Sequence, residues 1–575
     1  MKKTLSLLLC LIMVAAALSG CGGLKGDDKG AIIPVYLPTA INNFDPAYAL
    51  HDEAGTKILN LLYEGLTYID ASGKTQKAMA KNWTYKTKPE ENYYMLEIEL
   101  KETKWSDGRQ VSADDYVFAW KRLLEPEFQS EAAAALYDIK NARAVKAGEM
   151  TIDDLGLFAA DTTVLQVEFE TDIDYNQFLT DCSSLALVPL REDKVVKLEN
   201  WASNTATMVT DGPFTLKTYK QGISMVLERN VYYYRDIEKE ESLIKYVIPY
   251  RLDINLENDV NAQLANFDAQ NGSLFFISEL PLAARAARSG EVTLSDTPIT
   301  HTYVFNSKKA PFNKAEVRRA LSLAVDRSAL VNTVVYAKAA EGFTANADFR
   351  AAAGSVISSS ANLSEAKNLL SAAGVSSGKF TITIRENEVD RAVAEYCKGV
   401  WEQLGFTVSI EALGTEYYTE IEYDQYRDLF ETAYRKGDFD VIAVDFTETA
   451  ANVFNTLAIY SKPFSGGALD LTSGNFDYVP HIGGYVNESY DALMEEIFAE
   501  KTIANRTSKL IEAEKILAND MPVMPLFRYQ TAYLISSELS GLKVNFNGSL
   551  NFNKVKLKNY LSYLETEAPV AEAAE

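Results

Sequence analysis

Hydrophobic and polar positions along the chain switch repeatedly between two periods. Ile32 to Leu37 is a short apolar run ended by Pro38, which predicts a strand. From Asp52 to Tyr63 the apolar residues Ile58, Leu61 and Leu62 share one helical face. Ser112-Ala113-Asp114-Asp115 has the form of a capping box. The helix it opens carries Tyr116, Ala119, Trp120 and Leu123 at i, i+3, i+4 and i+7, which makes Trp120 a core residue. The clearest unit lies between Lys379 and Leu413. Phe380, Ile382 and Ile384 alternate as a strand, and Val393, Tyr396, Cys397, Val400, Trp401 and Leu404 form a helical stripe. Gly405 ends that helix, and Phe406, Val408 and Ile410 alternate again. This pattern predicts a βαβ unit with parallel strands and a right-handed crossover. A further helix, started by Asn313, carries Val317, Leu321, Ala324 and Val325. Thr344 to Leu363 is rich in Ala, Ser and Gly and predicts a loose surface connection.

The two ends of the chain depart from this alternation. Lys2 and Lys3 precede an apolar run from Leu5 to Leu18 that only Ser6 interrupts. That length suits a secretion signal and is short of the roughly 20 apolar residues a membrane span requires. No later apolar run is long enough to cross a bilayer, so the body is expected to be soluble and extracytoplasmic. Residues 21–30 read as a flexible polar linker and residues 561–575 as a disordered acidic tail.

The 575 residues are too many for one core and predict two to four domains at about 150 residues each. The formal net charge is −24, and −26 once Lys2 and Lys3 leave with the signal. Such a body repels phosphate backbones, which excludes nucleic acid as a partner. Of four cysteines only Cys182 and Cys397 lie in the body, and they read as buried free thiols. The three histidines, His51, His301 and His481, have no ligand spacing, so neither a metal nor another cofactor is expected. No nucleophile elbow, phosphate loop or dinucleotide fingerprint is present. Asp438 and Asp440 flank Phe439 and form the one carboxylate pair of interest for a hydrolase. Strand-end residues on a solvated edge are the better account of them, and no enzyme is expected.

A series of phrases remains, in a definite order. Asn43-Phe44-Asp45-Pro46 is followed by Leu62-Tyr63-Glu64-Gly65-Leu66-Thr67, with Asp70 and Gly73 beyond it. Ala80-Lys81-Asn82-Trp83, Lys104-Trp105-Ser106-Asp107-Gly108 and Val111 to Tyr116 come next. Asp211-Gly212-Pro213-Phe214, Val317 to Arg327, Asp438-Phe439-Asp440 and Met521 to Leu526 close the series. Trp105 to Gly108 and Asp211 to Phe214 read as turns in their own right. Jointly the phrases resemble the oligopeptide- and dipeptide-binding lipoproteins of ATP-driven (ABC) importers, the family 5 extracytoplasmic solute-binding proteins. The resemblance covers about residues 31 to 560.

The resemblance implies an α/β fold of the two-lobed, periplasmic-binding-protein-like kind (large type II, cluster C), with an inserted domain and a two-strand hinge. Residues 1–20 would be the signal peptide, and Leu18-Ser19-Gly20-Cys21 resembles a lipobox whose Cys21 carries lipid. Lobe I would comprise 31–64, 183–302 and 528–560, with the inserted domain at 65–182 and lobe II at 303–527. The strands would cross near Tyr303 to Asn306 and near Leu526 to Tyr529. An extended peptide would be held between the lobes through its backbone. The matching positions are Leu50, His51 and Asp52, the strand containing Phe275 and Phe276, Tyr303, Phe305 and Tyr529, and the segment Asp445-Phe446-Thr447-Glu448-Thr449. One departure stands out. Where the family has a Trp and then an Asp that pairs with the peptide's amino terminus, this chain has Phe446 and Thr449. Asp445 and Glu448 are the nearest anions. The expected partners are a peptide, ABC permease subunits and the cell membrane through Cys21, for a monomer. The alternatives kept open are the same fold serving as sensor or carrier for a non-peptide ligand, and a secreted carboxylate-pair hydrolase.

Overall fold

The computed structural model describes residues 30–558 except 38–40, 42, 52, 71–73, 129, 199–200, 203–204, 237, 258, 270–274, 278–279, 281, 286, 421–422, 449–452, 465–481, 501–502 and 546–548. It gives backbone alone at 49–51, 53–54, 131, 275–277, 347–348, 415–420, 423–427 and 503. The signal, Cys21, the linker up to residue 29 and the acidic tail therefore lie outside the described residues, as do Asp52 and Thr449.

An 11-stranded mixed sheet forms the frame. Its strands, in chain order, are β1 (Ile32–Tyr36), β2 (Phe214–Lys220), β3 (Ser224–Arg229), β4 (Arg251–Asn255), β5 (Phe275–Ile277), β6 (Thr293–Phe305), β7 (Ala337–Ala339), β8 (Gly378–Arg385), β9 (Phe406–Leu413), β10 (Val441–Thr447) and β11 (Val523–Ile535). Across the sheet the order is β9-β8-β10-β6-β11-β5-β1-β4-β3-β2, with β7 added alongside β11. The first half of β6 and the second half of β11 pair with each other beside β5. The second half of β6 pairs with β10 and with the first half of β11. These two 13-residue antiparallel strands thus tie two groups of strands into two lobes.

The pairing of β6 with β11 breaks between Asp296 and Thr300. Pro298 sits in that gap and has no N–H to give a ladder, which is where a strand tolerates a bulge. Thr297 repairs part of the loss by donating its hydroxyl to the Tyr529 carbonyl at 2.8 Å. The Pro298 carbonyl accepts from the Glu448 N–H at 2.9 Å, which pins the end of β10 to the break. The interruption falls a few residues before the Tyr303–Asn306 stretch to which the resemblance points.

The βαβ unit is present as its periodicity predicts. β8 and β9 are parallel, with Phe380 opposite Val408 and Ile382 opposite Ile410. The crossover helix Glu388–Glu402 buries Val393, Cys397 and Trp401. Trp401 donates its indole N–H to the Leu321 carbonyl at 2.9 Å, joining this unit to the neighbouring helix Ala315–Ala324. That helix begins after Lys314 rather than at Asn313.

One expectation fails. Thr344 to Leu363 is not a loose connection. It contains the helix Ala347–Ala353, started by Asn346, whose side chain accepts from the Phe349 N–H. Thr344, Phe349 and Ile357 are buried. The abundance of small residues hides three anchors, and burial of those anchors outweighs the turn-forming composition.

Between β1 and β2 in sequence lies a separate four-stranded antiparallel sheet. Its order is Ala80–Lys88, Tyr93–Leu100, Val164–Glu168 and Leu157–Asp161. The helix Ala113–Leu124 packs on it, with Tyr116, Ala119, Trp120 and Leu123 buried as predicted. Asp115 accepts from the Ser112 N–H at 2.9 Å and from the Trp105 indole at 3.0 Å, so one carboxylate closes both the helix start and the Trp105–Gly108 turn. Gly108 supplies a φ of +91° there. Cys182 and Cys397 are buried and free.

Candidate functional site

A cavity of about 60 Å³ lies beside the break in β6, against the short helix Glu131–Leu136. It has room for a handful of waters. Its walls come from three directions. Thr300 and Thr302 of β6 and Pro525 of β11 form one wall, and Phe446, Thr447 and Glu448 at the end of β10 form the second. Ala132, Ala134, Ala135 and Ser184 reach in from the inserted region and its return, opposite Asn455, Thr456, Ile459, Tyr460 and Phe343.

The side chains of Thr300 and Phe446 are direct cross-strand neighbours and so share a face. Thr302 donates its hydroxyl to the Val444 carbonyl at 2.8 Å. The Thr300 hydroxyl is buried and has no hydrogen-bond partner among the described residues. Ala132, Ala134 and Ala135 belong to the short helix Glu131–Leu136, whose small side chains leave the space open.

Glu448 is the only carboxylate on the wall among the described residues, and it is buried. Its partners are internal. Thr344 donates its hydroxyl to Oε2 at 2.7 Å, and the Ala345 N–H donates to Oε1. Arg528 lies close enough to act on it electrostatically, and donates to the Thr344 carbonyl. Burial pushes the Glu448 carboxyl above its usual range, with Arg528 and the two hydrogen bonds pulling it back. Behind this group Arg350 pairs with Glu514, whose Oε1 also accepts from the Phe343 N–H at 2.9 Å. Two arginines and the two buried glutamates thus meet here, and Glu341 also acts on Arg528.

The other face of β6 has a different character. Residues 301, 303 and 305 alternate away from the cavity. His301 is buried, with Nδ1 2.7 Å from Asp445 Oδ1 and 3.2 Å from the Tyr529 hydroxyl. Its ring stacks on Phe527 at 4.9 Å. Tyr303 packs edge-on against Trp401 at 6.0 Å, and Phe305 stacks on Phe312 at 5.5 Å.

Of the residues nominated from sequence, Phe446, Thr447 and Glu448 therefore meet at the cavity. Asp445 and Tyr529 gather around His301 on the opposite face, and Tyr303 and Phe305 are turned into the core, because a shift of one residue along a strand changes the face. Leu50 and His51 lie in the short helix Pro46–His51, and Phe275 and Phe276 lie in β5, with no side chains described. Asp52, Thr449 and Cys21 lie outside the described residues. Sequence reading missed Thr300, Thr302 and the alanine helix. The available signal was the i, i+2 spacing of Thr300 and Thr302, which puts both on one face of β6.

Contacts bridge the stretch around residues 137–143 and the segment 453–506. Arg143 forms a bidentate pair with Glu495 at 2.7 and 2.5 Å, and Tyr137 packs against Phe464 at 6.3 Å. Among the described residues no helix is long and apolar enough to cross a membrane, and no group of three or more His, Cys, Asp or Glu could hold a metal ion.

Comparison with known proteins places this arrangement. A family model described as "Bacterial extracellular solute-binding proteins, family 5 Middle" matches residues 74–468. The oligopeptide-binding protein OppA of Bacillus subtilis is 25% identical, over 97% of this chain and 100% of its own. The solved structure of the Escherichia coli murein tripeptide binding protein MppA superposes with a TM-score of 0.75 at 21% identity, covering 92% of this chain and 98% of that one. Haemophilus influenzae OppA, solved in complex with RPPGFSPFR, gives 0.75 at 23% identity, covering 92% and 99%. At these identities the structural likeness speaks for the fold.

Proposed function

Because the chain belongs to the bacterial extracellular solute-binding proteins of family 5, we propose that it captures peptides in the cleft between its lobes and delivers them to an ABC-type permease. The observation that carries the reading is the position of the cavity. It lies against the two strands that tie the lobes together, at the break in their pairing, and draws its walls from both lobes and the inserted region.

In this reading the bulge at Thr297–Ile299 is the flexing point of the hinge. The lobes separate to admit ligand, since a cavity of about 60 Å³ is far too small for an extended peptide to enter unaided. Ligand favours the closed arrangement only through contacts that the open one lacks. The Arg143–Glu495 pair is half-exposed and contributes at most about 1 kcal/mol, so it acts as a weak latch that ligand contacts outweigh. Residues 31–64, 183–302 and 528–560 form lobe I, 65–182 the inserted domain and 303–527 lobe II. The protein works as a monomer, tethered through lipid on Cys21. Two or more acyl chains give stable anchoring, and the tether raises the local concentration of the binder beside its permease.

The test is native mass spectrometry of protein purified without refolding. A ladder of co-purified peptides is the expected result. A single non-peptide mass would assign the fold to a different ligand and sink the peptide reading. Metabolic labelling with a fatty acid, compared between wild type and Cys21→Ala, checks the anchor.

A further inference from the structure

We propose that His301 is a positioning residue of the hinge. Its imidazole, held by Asp445 and Tyr529, fixes the bend at the break in β6 and makes ligand affinity fall as pH rises. The inference rests on the hinge reading above and adds a residue and a pH dependence to it.

Tyr529 spans the break. On β11 it follows Arg528, which pairs with Thr300, and precedes Gln530, which pairs with Asp296. Its carbonyl accepts from the Thr297 hydroxyl at 2.8 Å, and its own hydroxyl lies 3.2 Å from His301 Nδ1. Residues 297 and 301 thus hold one tyrosine from either side of the interruption. A change of bend at 297–299 alters the spacing of those two anchors, so both bonds are met over a narrow range of bend only. The contact at His301 therefore differs between hinge angles, as any group that biases closure must. Packing keeps the imidazole in place. The side chain is 1% exposed, stacks on Phe527 at 4.9 Å and meets Tyr303 and Tyr529 edge-on at 5.9 Å. With the ring held on these sides, ionisation is the change left to it.

Asp445 lies across from His301 on β10, with Oδ1 2.7 Å from the same Nδ1. An ionised carboxylate at that distance needs a proton on Nδ1, since two lone pairs repel. The Nδ1–H donates to Asp445, and the Tyr529 oxygen takes the longer second branch. A second carboxylate acts on the ring from the helix Glu388–Glu402. Asp390 is buried, and burial pushes it up to about 6, with the His301 charge pulling it back and Asp445 adding to the rise. The nearby arginines are engaged elsewhere. Arg385 reaches Asp390 through its backbone N–H, while its guanidinium pairs with Asp428. The Arg327 guanidinium donates to the Pro525, Ser322 and Ser358 carbonyls. Tyr303, with Cys397 behind it, and Tyr529 are the other titratable groups around the ring among the described residues. Two carboxylates thus act on one imidazole and favour its charged form. A charged donor makes a bond roughly twice as strong as a neutral one. The bend that keeps both anchors holds the proton more tightly than one that breaks them. Closing on ligand therefore takes up protons, and affinity is highest on the acid side.

The experiment equilibrates a degenerate hexapeptide library with the purified full chain at about pH 6 and about pH 8.5, and quantifies the retained peptides by mass spectrometry. The α-amine of the peptides titrates in the same range, so the measure is the acid-to-alkaline retention ratio of wild type divided by that of a variant. His301→Gln keeps a donor without the charge, and Asp445→Asn keeps the shape of the carboxylate without its charge. For each variant the quotient should be at least about 5. A quotient near 1 for either variant overturns the inference and leaves the peptide reading standing. Retention by none of the proteins above a protein-free control, at either pH, overturns the peptide reading and this inference with it. Unfolding free energies at the same two pH values separate positioning from support. A pH effect of His301 on stability without one on retention makes the residue structural only, and overturns the inference. Should His301→Gln fail to fold, Asp445→Asn carries the test, since the Asp445 side chain is 40% exposed.

Discussion

Filling the cavity from the inserted region separates a ligand seat from an incidental void. Ala134 is buried on the short helix Glu131–Leu136 and lines the cavity. Ala134→Leu adds three carbon atoms to a space of about 60 Å³. At about 0.8 kcal/mol per buried CH₂, complete filling would stabilise the arrangement by up to about 2.4 kcal/mol. The gain exists only while the inserted region stands against the second lobe, because residue 134 faces water once they part. A ligand that occupies the same space must displace the new side chain and forfeit that energy. At about 1.4 kcal/mol per decade, this weakens binding roughly 50-fold. Differential scanning fluorimetry without ligand should show an unchanged or slightly raised melting temperature. Isothermal titration calorimetry with a peptide recovered from the native protein should show the affinity loss. Ala134→Ser, which adds little volume, should bind like wild type. Unchanged affinity in Ala134→Leu would refute the assignment of the cavity as the ligand seat.

Three further outcomes follow from buried charges. Arg122 makes a bidentate pair with Asp45 at 3.1 and 2.5 Å, with side chains 14% and 5% exposed. Arg122→Met strands that carboxylate and should cost about 3–5 kcal/mol in denaturant unfolding; a loss below 1 kcal/mol would show that water reaches Asp45. Asp211 is fully buried beside Glu64, and burial first, then the Glu64 charge, holds its carboxyl well above the usual range. Asp211→Asn keeps an oxygen for the Glu64 N–H and should raise the melting temperature at pH 8 more than at pH 4; a lower melting temperature at pH 8 would contradict this. Burial also pushes Asp390 up to about 6, with His301 pulling it back and Asp445 adding to the rise. The native state then binds the extra proton between about pH 4 and pH 6, so this contribution is full below about pH 4 and lost as pH rises through 6. Asp390→Asn should flatten the fall in unfolding free energy over that window, and an unchanged slope would assign it to another group.

Periodicity made the elements legible. The stripe from Val393 to Leu404 and the alternations on either side of it specify the βαβ unit, because each face must be buried by residues at a fixed local spacing. The same holds for Tyr116, Ala119, Trp120 and Leu123, which occupy one face of their helix and are all buried. The segment after Phe343 was illegible, since its small residues carry no periodic signal and its anchors are stabilised by distant partners. For the site, the stretch Phe446-Thr447-Glu448 was found by its place in the order of phrases. Thr300 and Thr302 were passed over for Tyr303 and Phe305, since aromatic residues draw attention and a strand changes face at every step.

The sequence by itself determined the local elements, the acidic extracytoplasmic character and the family, because these depend on composition, on spacing within about twenty residues and on the order of short phrases. The tertiary structure decided which face of each hinge strand borders the cavity. It also decided that Glu448 accepts from Thr344 and Ala345 within reach of the Arg528 charge. Those facts depend on register and on partners about a hundred residues away in the chain. A carboxylate's readiness to bind is set by what else surrounds it, and in this protein that company assembles only when the two lobes share a sheet.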